Sequence, residues 1–455
     1  MISYQEAWSF LDQLQFFKIK LGLDSMNRFL AETGQPHRKL DFIHVAGTNG
    51  KGSVAVTLLT LLARAGYRVG LYTSPHLSSV RERFRINDRY ISEEEFARLT
   101  GEIKEVLAGG QITYFEFTTA LALLWFARMN VDLAIMEVGM GGRLDATNVV
   151  SPLVSVITNV SMDHEAYLGH TLREVAGEKA GIVKEGIPVV SGVAADESLE
   201  VVAEQCRRRQ APLYLLSRDF SVIAGPDDHW GYQGIFRSEP LSGLRSSLAG
   251  GHQRANTALA LAVLELLKED FPVDDQTIRQ GLLEVRWPGR LETFCLKFEN
   301  DRLQLDAAQP VPCLPSSGKT LPGNVRRFIL DGAHNPGGIV TLTGALQQDF
   351  RYDGLVLIWG SMADKDMAKT LLPMVPLAKR LIFTRVAGER SATPEQLRKL
   401  LPEEDARRAV LTATVADALQ EAVKGSGPED LICIAGSLYL IGAARKMLLG
   451  EVAGP

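Results

Sequence analysis

The sequence predicts an α/β protein: a large, mostly parallel sheet with a small antiparallel portion, followed by a smaller C-terminal α/β unit. Short, uninterrupted apolar runs alternate with longer runs of helical periodicity, which is typical of parallel strands covered by helices on both faces. A stretch rich in Gly, Ser and aromatic residues interrupts this alternation at 217–247. The alternation resumes near residue 328, which indicates a second unit.

The first unit takes its strands from five apolar runs, expected at 42–46, 69–72, 133–138, 154–158 and 189–190. Helical patterns lie between or after these runs, at 54–65, 117–129 and 251–267. The segment 217–247 is expected to form short antiparallel strands and loops. In a sheet of this kind a ligand lies beyond the carboxyl ends of the strands.

The second unit is expected to be Rossmann-like, with strands at 328–331, 354–359, 380–384 and 431–435. The turn Trp287-Pro288-Gly289-Arg290 precedes it and is a candidate hinge. The predicted division of the chain is therefore 1–288 and 289–455. The polar, Pro-rich stretch 300–327 predicts a surface loop, and residues 450–455 predict a frayed end.

Composition narrows the class of protein. The chain has 455 residues, of which 46% are hydrophobic and 23% charged, and a net charge of −5, which argues against general nucleic-acid binding. Four scattered cysteines form no C-x-x-C pair and indicate neither a zinc site nor a disulfide framework. Residues 1–17 lack an apolar signal core, and Arg128 and Asp132 interrupt the apolar stretch 118–136. We therefore expect a cytoplasmic protein without a membrane span.

A glycine-rich loop between the first strand and the first long helix predicts a P-loop-type phosphate site. Its sequence is Gly47-Thr48-Asn49-Gly50-Lys51-Gly52-Ser53. Backbone N–H groups and the helix N-terminus favour a phosphate, Lys51 can reach its β- and γ-groups, and Ser53 offers a hydroxyl to Mg²⁺. The alternative is a tight turn with a solvated lysine, but strand, loop, Lys, hydroxyl and helix occur together in the required order.

The loop departs from the common G-x-x-x-x-G-K-[ST] pattern. Val45 stands where that pattern has its first glycine, and Gly52 separates Lys51 from Ser53. The compact G-T-x-G-K-G-S form resembles the ATP loop of the Mur ligase family. Members of that family activate a carboxylate with ATP and couple it to an amine, so the resemblance implies an amide-bond ligase.

Candidate metal ligands follow the strands of the first unit. Glu137 ends a buried strand beside a glycine cluster, where an acid can hold Mg²⁺ near a phosphate. Ser74 follows the next strand and offers a hydroxyl to a second Mg²⁺. His164 lies in Asp163-His164 beyond the strand at 154–158 and is a candidate ligand. Taken alone, these residues are equally a solvated acid, a turn serine and a structural histidine.

Other candidates concern charge and the nucleotide. Three arginines lie within Arg81–Arg85, and such a cluster grips carboxylates, although a solvated basic face is the alternative. Lys179 has small apolar neighbours and is a candidate for partial burial and a lowered pKa, although the residues alone favour a lysine on a helix surface. Four further residues are candidates for adenine, γ-phosphate, ribose and phosphate contacts, in that order: Asn256, Arg290, Asp331 and His334.

Together these motifs resemble the folylpolyglutamate synthase family, and more closely its bacterial bifunctional dihydrofolate synthase/folylpolyglutamate synthase members. The matching blocks run in the family's order over roughly residues 2–442. They are HVAGTNGKGSV, LYTSPHL, TYFEFTTALAL, EVGMGGRLDATN, DHEAYLGHT, EKAGIVK, GHQRAN, PGRLE, DGAHNP, ADKD and GSLYLIG.

The resemblance implies a two-domain enzyme with ATP in the cleft, two Mg²⁺ sites and a carbamylated Lys179, and it allows a monovalent cation. Implied metal ligands are Ser53, Ser74, Glu137 and His164. Implied catalytic residues are Lys51, Lys179, His164, Arg290 and His334. Implied nucleotide contacts are the loop residues Gly47, Thr48, Asn49, Gly50, Lys51, Gly52 and Ser53, together with Asn256, Arg290, Asp331 and His334.

The implied reaction adds L-glutamate to dihydropteroate, to folate polyglutamates or to both. Phe115 lies in a segment that resembles the pterin-side region, and Arg83 and Asp145 are the other implied substrate contacts. Family members are often monomers, so a monomer is expected. The sequence departs from the family at Met140, where Leu or Ile is usual, and in a longer stretch between Glu292 and Asp331.

Three alternatives remain at this point. A sister ligase acting on a peptidoglycan precursor is disfavoured by the blocks EVGMGGRLDATN and DGAHNP. A P-loop switch protein would need a conventional loop and a guanine-reading N-K-x-D motif, which we do not find. A nucleotide-binding regulator without catalysis is disfavoured because candidates occupy every catalytic position.

Overall fold

The computed structural model describes residues 2–14, 22–194, 196–298, 309–311, 321–363, 365–386, 388 and 391–450. Within this part of the chain, two large sheets and one small sheet are present. We call the eight-stranded sheet with its helices the N-terminal unit and the seven-stranded sheet with its helices the C-terminal unit. No helix in the described residues is long and apolar enough to cross a membrane.

The sheet of the N-terminal unit is mostly parallel. Its strands are β1 (Phe42–Ala46), β2 (Val69–Tyr72), β3 (Phe84–Ile86), β4 (Arg89–Tyr90), β5 (Leu133–Glu137), β6 (Val154–Ile157), β7 (Val189–Ser191) and β8 (Leu213–Leu215). Their order is β4-β3-β2-β5-β1-β6-β7-β8, and only β3 and β4 run antiparallel to their neighbours. The five predicted strands are confirmed. The strands β3 and β4 at one side of the sheet and β8 at the other were not predicted, since they are short and only partly apolar.

Helices cover both faces of this sheet. They are α1 (Tyr4–Gln13), α2 (Asp24–Glu32), α3 (Lys51–Arg64), α4 (Glu93–Leu107), α5 (Tyr114–Arg128), α6 (Glu165–Leu168), α7 (Leu172–Ala180), α8 (Glu197–Arg208), α9 (Gly251–Leu266) and α10 (Asp275–Glu284). The core on one face combines α3 and α9, and the core on the other combines α1, α2, α4 and α5. Helix α5 begins earlier than predicted because Thr113 and Glu116 form a capping box at its start.

The small sheet has three antiparallel strands, β9 (Ser221–Ala224), β10 (Trp230–Gln233) and β11 (Leu241–Leu244), in the order β11-β10-β9. This confirms the antiparallel portion expected at 217–247. Trp230 and Tyr232 of β10 pack into the same core as α3 and α9, so the small sheet closes that face of the N-terminal unit.

The C-terminal unit contains β12 (Glu292–Lys297), β13 (Gln309–Val311), β14 (Val325–Leu330), β15 (Leu355–Trp359), β16 (Ala378–Thr384), β17 (Ala409–Thr412) and β18 (Leu431–Ala435), in the order β13-β12-β14-β18-β15-β16-β17. Its helices are α11 (Pro336–Gln348), α12 (Met367–Leu371), α13 (Pro394–Arg398), α14 (Glu403–Arg408), α15 (Val415–Lys424) and α16 (Leu438–Leu449). Helices α11 and α12 pack on one face of the sheet, and α15 and α16 pack on the other.

The stretch 300–327, expected to contain a surface loop, includes β13 and the first residues of β14, and both strands pair antiparallel with β12. Residues 300–308 and 312–320 lie outside the described residues, as do residues 451–455 of the predicted frayed end, so both expectations stay predictions. One expectation about the cysteines was wrong. Cys295 of β12 is disulfide-bonded, which the cysteine pattern did not indicate, whereas Cys206 and Cys433 are free. The predicted division at 288/289 falls just before β12 and stays a prediction.

Candidate active site

A cleft lies between the two units, at the carboxyl ends of the central strands. Its walls come from the segments that follow β1, β2, β5 and β6, and from the segment that follows β14. The predicted site residues that line it are Gly47, Thr48, Asn49, Gly50, Lys51, Gly52, Ser53, Ser74, Glu137, His164, Lys179, Asn256, Arg290, Asp331 and His334. Residues spread over nearly 300 positions of sequence therefore face one space.

The glycine loop follows β1 and turns into α3, as predicted. Gly50 precedes the helix with φ +82°, a backbone conformation that favours glycine. A Cβ built on Gly50 would lie 2.5 Å from Asn256 Oδ1, and one on Gly52 would lie 2.6 Å from the Trp287 ring. The unusual Gly52 therefore has a physical reason, because an indole ring occupies the space where a side chain would be.

Lys51 folds back over the loop. Its Nζ donates to the carbonyls of Gly47 (3.0 Å) and Thr48 (3.2 Å). The loop is held from β6, because Thr158 Oγ1 donates to Asn49 O (2.6 Å) and Asn159 Oδ1 accepts from Asn49 N (2.9 Å). No acidic side chain in the described residues pairs with Lys51 Nζ, so the ammonium group is available to an anion in the cleft.

Glu137 ends β5 beside the loop and is only 4% exposed. Burial raises the pKa of its carboxyl, while Lys51 and the N–H of Ser74 oppose the shift. Ser74 N donates to Glu137 Oε2 (3.1 Å). The strand ends β2 and β5 therefore bring Ser74 and Glu137 together, as the sequence predicted.

The donor set at these strand ends fits a magnesium ion. The described residues contain no group of three or more His, Cys, Asp or Glu side chains that could hold a metal by themselves. Mg²⁺ is usually held by one or two carboxylates together with waters and substrate phosphates. The Glu137 carboxylate and the hydroxyls of Ser53 and Ser74, all lining one cleft with a phosphate loop, match that preference.

His164 and Asp163 follow β6 at the mouth of the cleft. Burial raises the pKa of Asp163, but His164 and Lys365 together hold it well below its usual range. Asp163 Oδ1 accepts from Lys365 Nζ (2.8 Å) and Oδ2 accepts from Asn335 Nδ2 (2.9 Å). Burial lowers the pKa of His164, which favours the neutral imidazole that binds metals.

Lys179 lies in the last turn of α7 and is 3% exposed. Burial, with Lys51 nearby, lowers the pKa of its amine to about 7. No side chain in the described residues forms a hydrogen bond or ion pair with Nζ, although the group lines the cleft. This is the environment expected for an amine that is partly neutral near pH 7.

Three predicted residues approach the cleft from the C-terminal side. Asp331 follows β14 and accepts from Leu291 N (2.9 Å) and Ala333 N (2.9 Å), and burial raises the pKa of its carboxyl. His334 Nδ1 lies 2.7 Å from Gly332 O, and burial lowers the pKa of its ring to about 4. Arg290 lies in the turn before β12 and faces the same space.

Three predicted substrate residues do not line this cleft. Arg83 is 7% exposed, donates from Nε to His76 Nδ1 (2.9 Å) and stacks on the Tyr114 ring at 5.2 Å. The ring of Phe115 covers Gly139, where a Cβ would lie 2.5 Å from it. Asp145 accepts from the N–H groups of residues 139, 140 and 147 and so folds the glycine loop after β5.

Sequence reasoning missed Asn335, Lys365 and Asn159, which bond to predicted site segments. Asn335 had a readable signal, because Asn before Pro336 is typical of a helix start, but that signal predicts a cap and no contact with the other unit. Lys365 and Asn159 had no local signal. Their partners, Asp163 and Asn49, are more than 100 positions away in the sequence.

Two family models and several curated proteins match this chain. The Mur ligase middle domain matches residues 45–264, and the glutamate ligase domain of Mur ligases matches residues 320–438. Among curated proteins, the dihydrofolate synthase/folylpolyglutamate synthase of Bacillus subtilis (strain 168) is 34% identical over 458 aligned residues. That alignment covers 98% of this chain and 99% of the relative.

Solved structures give the same result. A Mycobacterium tuberculosis folylpolyglutamate synthase complexed with ADP and AMPPCP superposes with a TM-score of 0.83 at 30% identity. An E. coli protein in complex with DHPP and ADP superposes with a TM-score of 0.83 at 28% identity. In each case 98% of this chain and 98% of the other chain are covered.

Proposed function

Because this chain belongs to the Mur ligase family, in its group of folylpolyglutamate and dihydrofolate synthases, we propose that it joins L-glutamate to a pteroate or folate carboxylate at the expense of ATP. The observation that carries the proposal is the shared cleft. The phosphate loop, Glu137 and Lys179 of the N-terminal unit face Arg290 and His334 of the C-terminal unit there.

The proposed reaction has two steps. A carboxylate oxygen of the substrate attacks the γ-phosphorus of ATP, the bond to the bridging oxygen breaks, and ADP leaves with an acyl phosphate formed. The amine of L-glutamate then attacks the acyl carbon, loses a proton, and expels inorganic phosphate as the amide forms. Closure of the cleft excludes water, which would otherwise hydrolyse the acyl phosphate.

We propose a role for each of the residues that line the cleft, and their positions support it. Loop N–H groups and Lys51 bind the β- and γ-phosphates of ATP, since the loop opens on a helix N-terminus. Arg290 and His334 reach the phosphates from the opposite wall. Asp331 binds the ribose, and Asn256, buried against the loop at Gly50, binds adenine.

Mg²⁺ would be held by Ser53, Ser74, Glu137 and His164, distributed over two sites. When bound, the ion neutralises charge on the phosphoryl oxygens. Lys179 is proposed to carry a carbamate, which turns a buried amine into an anion beside these ligands. The resemblance also allows a monovalent cation.

The pterin side is proposed to lie next to the cleft, around Arg83, Phe115 and the glycine loop that Asp145 holds. An aromatic ring over a glycine backbone offers a face on which a pterin can stack. The whole enzyme is proposed to be a cytoplasmic monomeric acid–amino-acid ligase, with its domains meeting at 288/289.

The proposal predicts which substrates trigger ADP release. The protein is incubated with MgATP, L-glutamate, and either dihydropteroate or tetrahydrofolate, and ADP and product mass are measured. We expect ADP release that needs all three substrates, with a product heavier by one glutamyl residue. Release of ADP with neither pterin compound, but with a peptidoglycan precursor, would assign the chain to a sister ligase.

A further inference from the structure

Asn335 connects the two units at the cleft. It is 3% exposed and stands directly before α11 in the C-terminal unit. Its Nδ2 donates to Asn49 Oδ1 (3.1 Å) in the phosphate loop and to Asp163 Oδ2 (2.9 Å) beyond β6. Its Oδ1 accepts from Asn49 Nδ2 (3.3 Å) and from Gly338 N (2.8 Å) in its own helix.

These bonds use the full hydrogen-bonding capacity of the Asn335 side-chain amide. A primary amide has two N–H donors and two acceptor lone pairs, and each of the four has a partner. Three of these four bonds cross between the units, and only the bond to Gly338 N stays within α11. If the units moved apart, these three hydrogen bonds would break, and the groups that form them would have to bond to water.

The approach of the backbones at this point is also close. A Cβ built on Gly337 would lie 3.0 Å from Ser161 Oγ and 3.1 Å from Asn49 Nδ2. These distances are tighter than ordinary van der Waals contact, so glycine lets the first turn of α11 sit directly against the loop. We call these contacts of Asn335 and Gly337 with the N-terminal unit the junction. Lys365 strengthens the junction, because its Nζ donates to the Asp163 carboxylate at 2.8 Å.

We propose that Asn335 is a positioning residue whose bonds across the cleft hold the two units together while the acyl phosphate exists. This inference rests on the proposed function. The junction contacts two parts of the proposed active site. Asn49 belongs to the phosphate loop, and Asp163 directly precedes the proposed metal ligand His164. Its role is to keep water out until the amine attacks.

The consequence of losing the junction is uncoupling. With the cleft open, a water molecule takes the place of the amine, regenerates the carboxylate and releases phosphate. ATP is then converted to ADP and phosphate without an amide bond. The ratio of ADP released to amide formed measures this directly, and a residue that merely supports the fold would not change it.

Asn335→Ser is the variant that best separates the contacts across the cleft from the helix cap. Serine keeps the helix cap but is too short to reach across the cleft, so α11 stays capped while the junction is lost. Loss of buried bonds, one of them to a carboxylate, is expected to shift the equilibrium between closed and open forms about tenfold. We expect about two or more ADP per amide for Asn335→Ser, against one for the unmodified protein.

A second pair of variants keeps every hydrogen-bonding group. Gly337→Ala pushes the units apart by a few tenths of an ångström and is expected to uncouple more weakly than Asn335→Ser. Gly344→Ala lies in the same helix, where a Cβ meets nothing within 4 Å, and is the matched control. Both exchanges replace a glycine of α11 with alanine, a residue of higher helix propensity.

The outcomes separate the inference from the proposed function. If the unmodified protein forms no amide, the proposed function is wrong. If it forms one amide per ADP and both Asn335→Ser and Gly337→Ala do the same, the inference is overturned, even where their kcat is lower. Uncoupling by Gly344→Ala as well would also overturn it, because the effect would then not belong to the junction.

Discussion

Lys51→Ala is expected to lower kcat/KM for amide formation by about 10³-fold, because a preorganised cation at a transferring phosphoryl group contributes on this scale. Among the described residues, Lys51 Nζ donates to two carbonyls of its own loop and to no other group, so its removal leaves the core of the N-terminal unit intact. Circular dichroism and the thermal midpoint should therefore match the unmodified protein, while steady-state ADP release falls.

Lys369→Ala is the matched control for this variant. Lys369 is an exposed lysine of α12 that pairs with Asp366 at 3.0 Å, outside the cleft. We expect normal turnover from it. Near-normal turnover by Lys51→Ala under the same conditions would remove the phosphate loop from the reaction and, with it, the basis of the assignment.

Lys179→Arg is expected to lower activity by about 10²-fold, the scale found when a group that supports metal ligands is removed. Arginine keeps a positive charge but forms no carbamate. The unmodified protein should lose activity in buffer depleted of CO₂ and regain it on addition of bicarbonate. Lys179→Arg should respond to neither treatment.

The pH dependence of this activation has a definite sign. Only the neutral amine takes up CO₂, and the pKa of Lys179 is lowered to about 7 by burial and by Lys51. Bicarbonate rescue should therefore be lost as the pH falls below about 7 and be fully present above it. Lys184→Arg serves as the control, since Lys184 lies in the next turn and donates to Asn148 O (2.9 Å) outside the cleft. Equal bicarbonate rescue of Lys179→Arg and the unmodified protein would contradict the carbamate.

Much of the fold and the cleft could be predicted because the signals are local. Strands such as Phe42–Ala46 are continuous apolar runs, and the residue after each parallel strand necessarily faces one edge of the sheet. This is why Ser74 and Glu137, at the ends of the neighbouring strands β2 and β5, were predictable as one group, whereas Asp331 follows a strand of the other sheet. The glycine loop was likewise predictable as a phosphate site, although nothing in the sequence indicated that Trp287 packs against Gly52.

What could not be predicted depends on contacts between distant segments. The arginine cluster reads as one basic group, yet the Nε of each arginine donates to a different partner: Arg81 to Ile91 O, Arg83 to His76 Nδ1 and Arg85 to Asn87 O. Asp145 reads as a free acid but is committed to backbone N–H groups. The sequence around Asn335 predicts a helix cap, but it does not predict the hydrogen bonds between Asn335 and the other unit.

The central claim is that the cleft forms an acyl phosphate from ATP and the carboxylate of a pteroate or folate substrate. Dihydropteroate labelled with oxygen-18 in its carboxylate tests it directly, by mass spectrometry of the phosphate released during glutamate addition. The account predicts one carboxylate oxygen in each inorganic phosphate. The oxygen that joins carbon to phosphorus in the acyl phosphate comes from the carboxylate, and it leaves with the phosphate when the amine attacks the carbon. Unlabelled phosphate, with amide still formed, would contradict it.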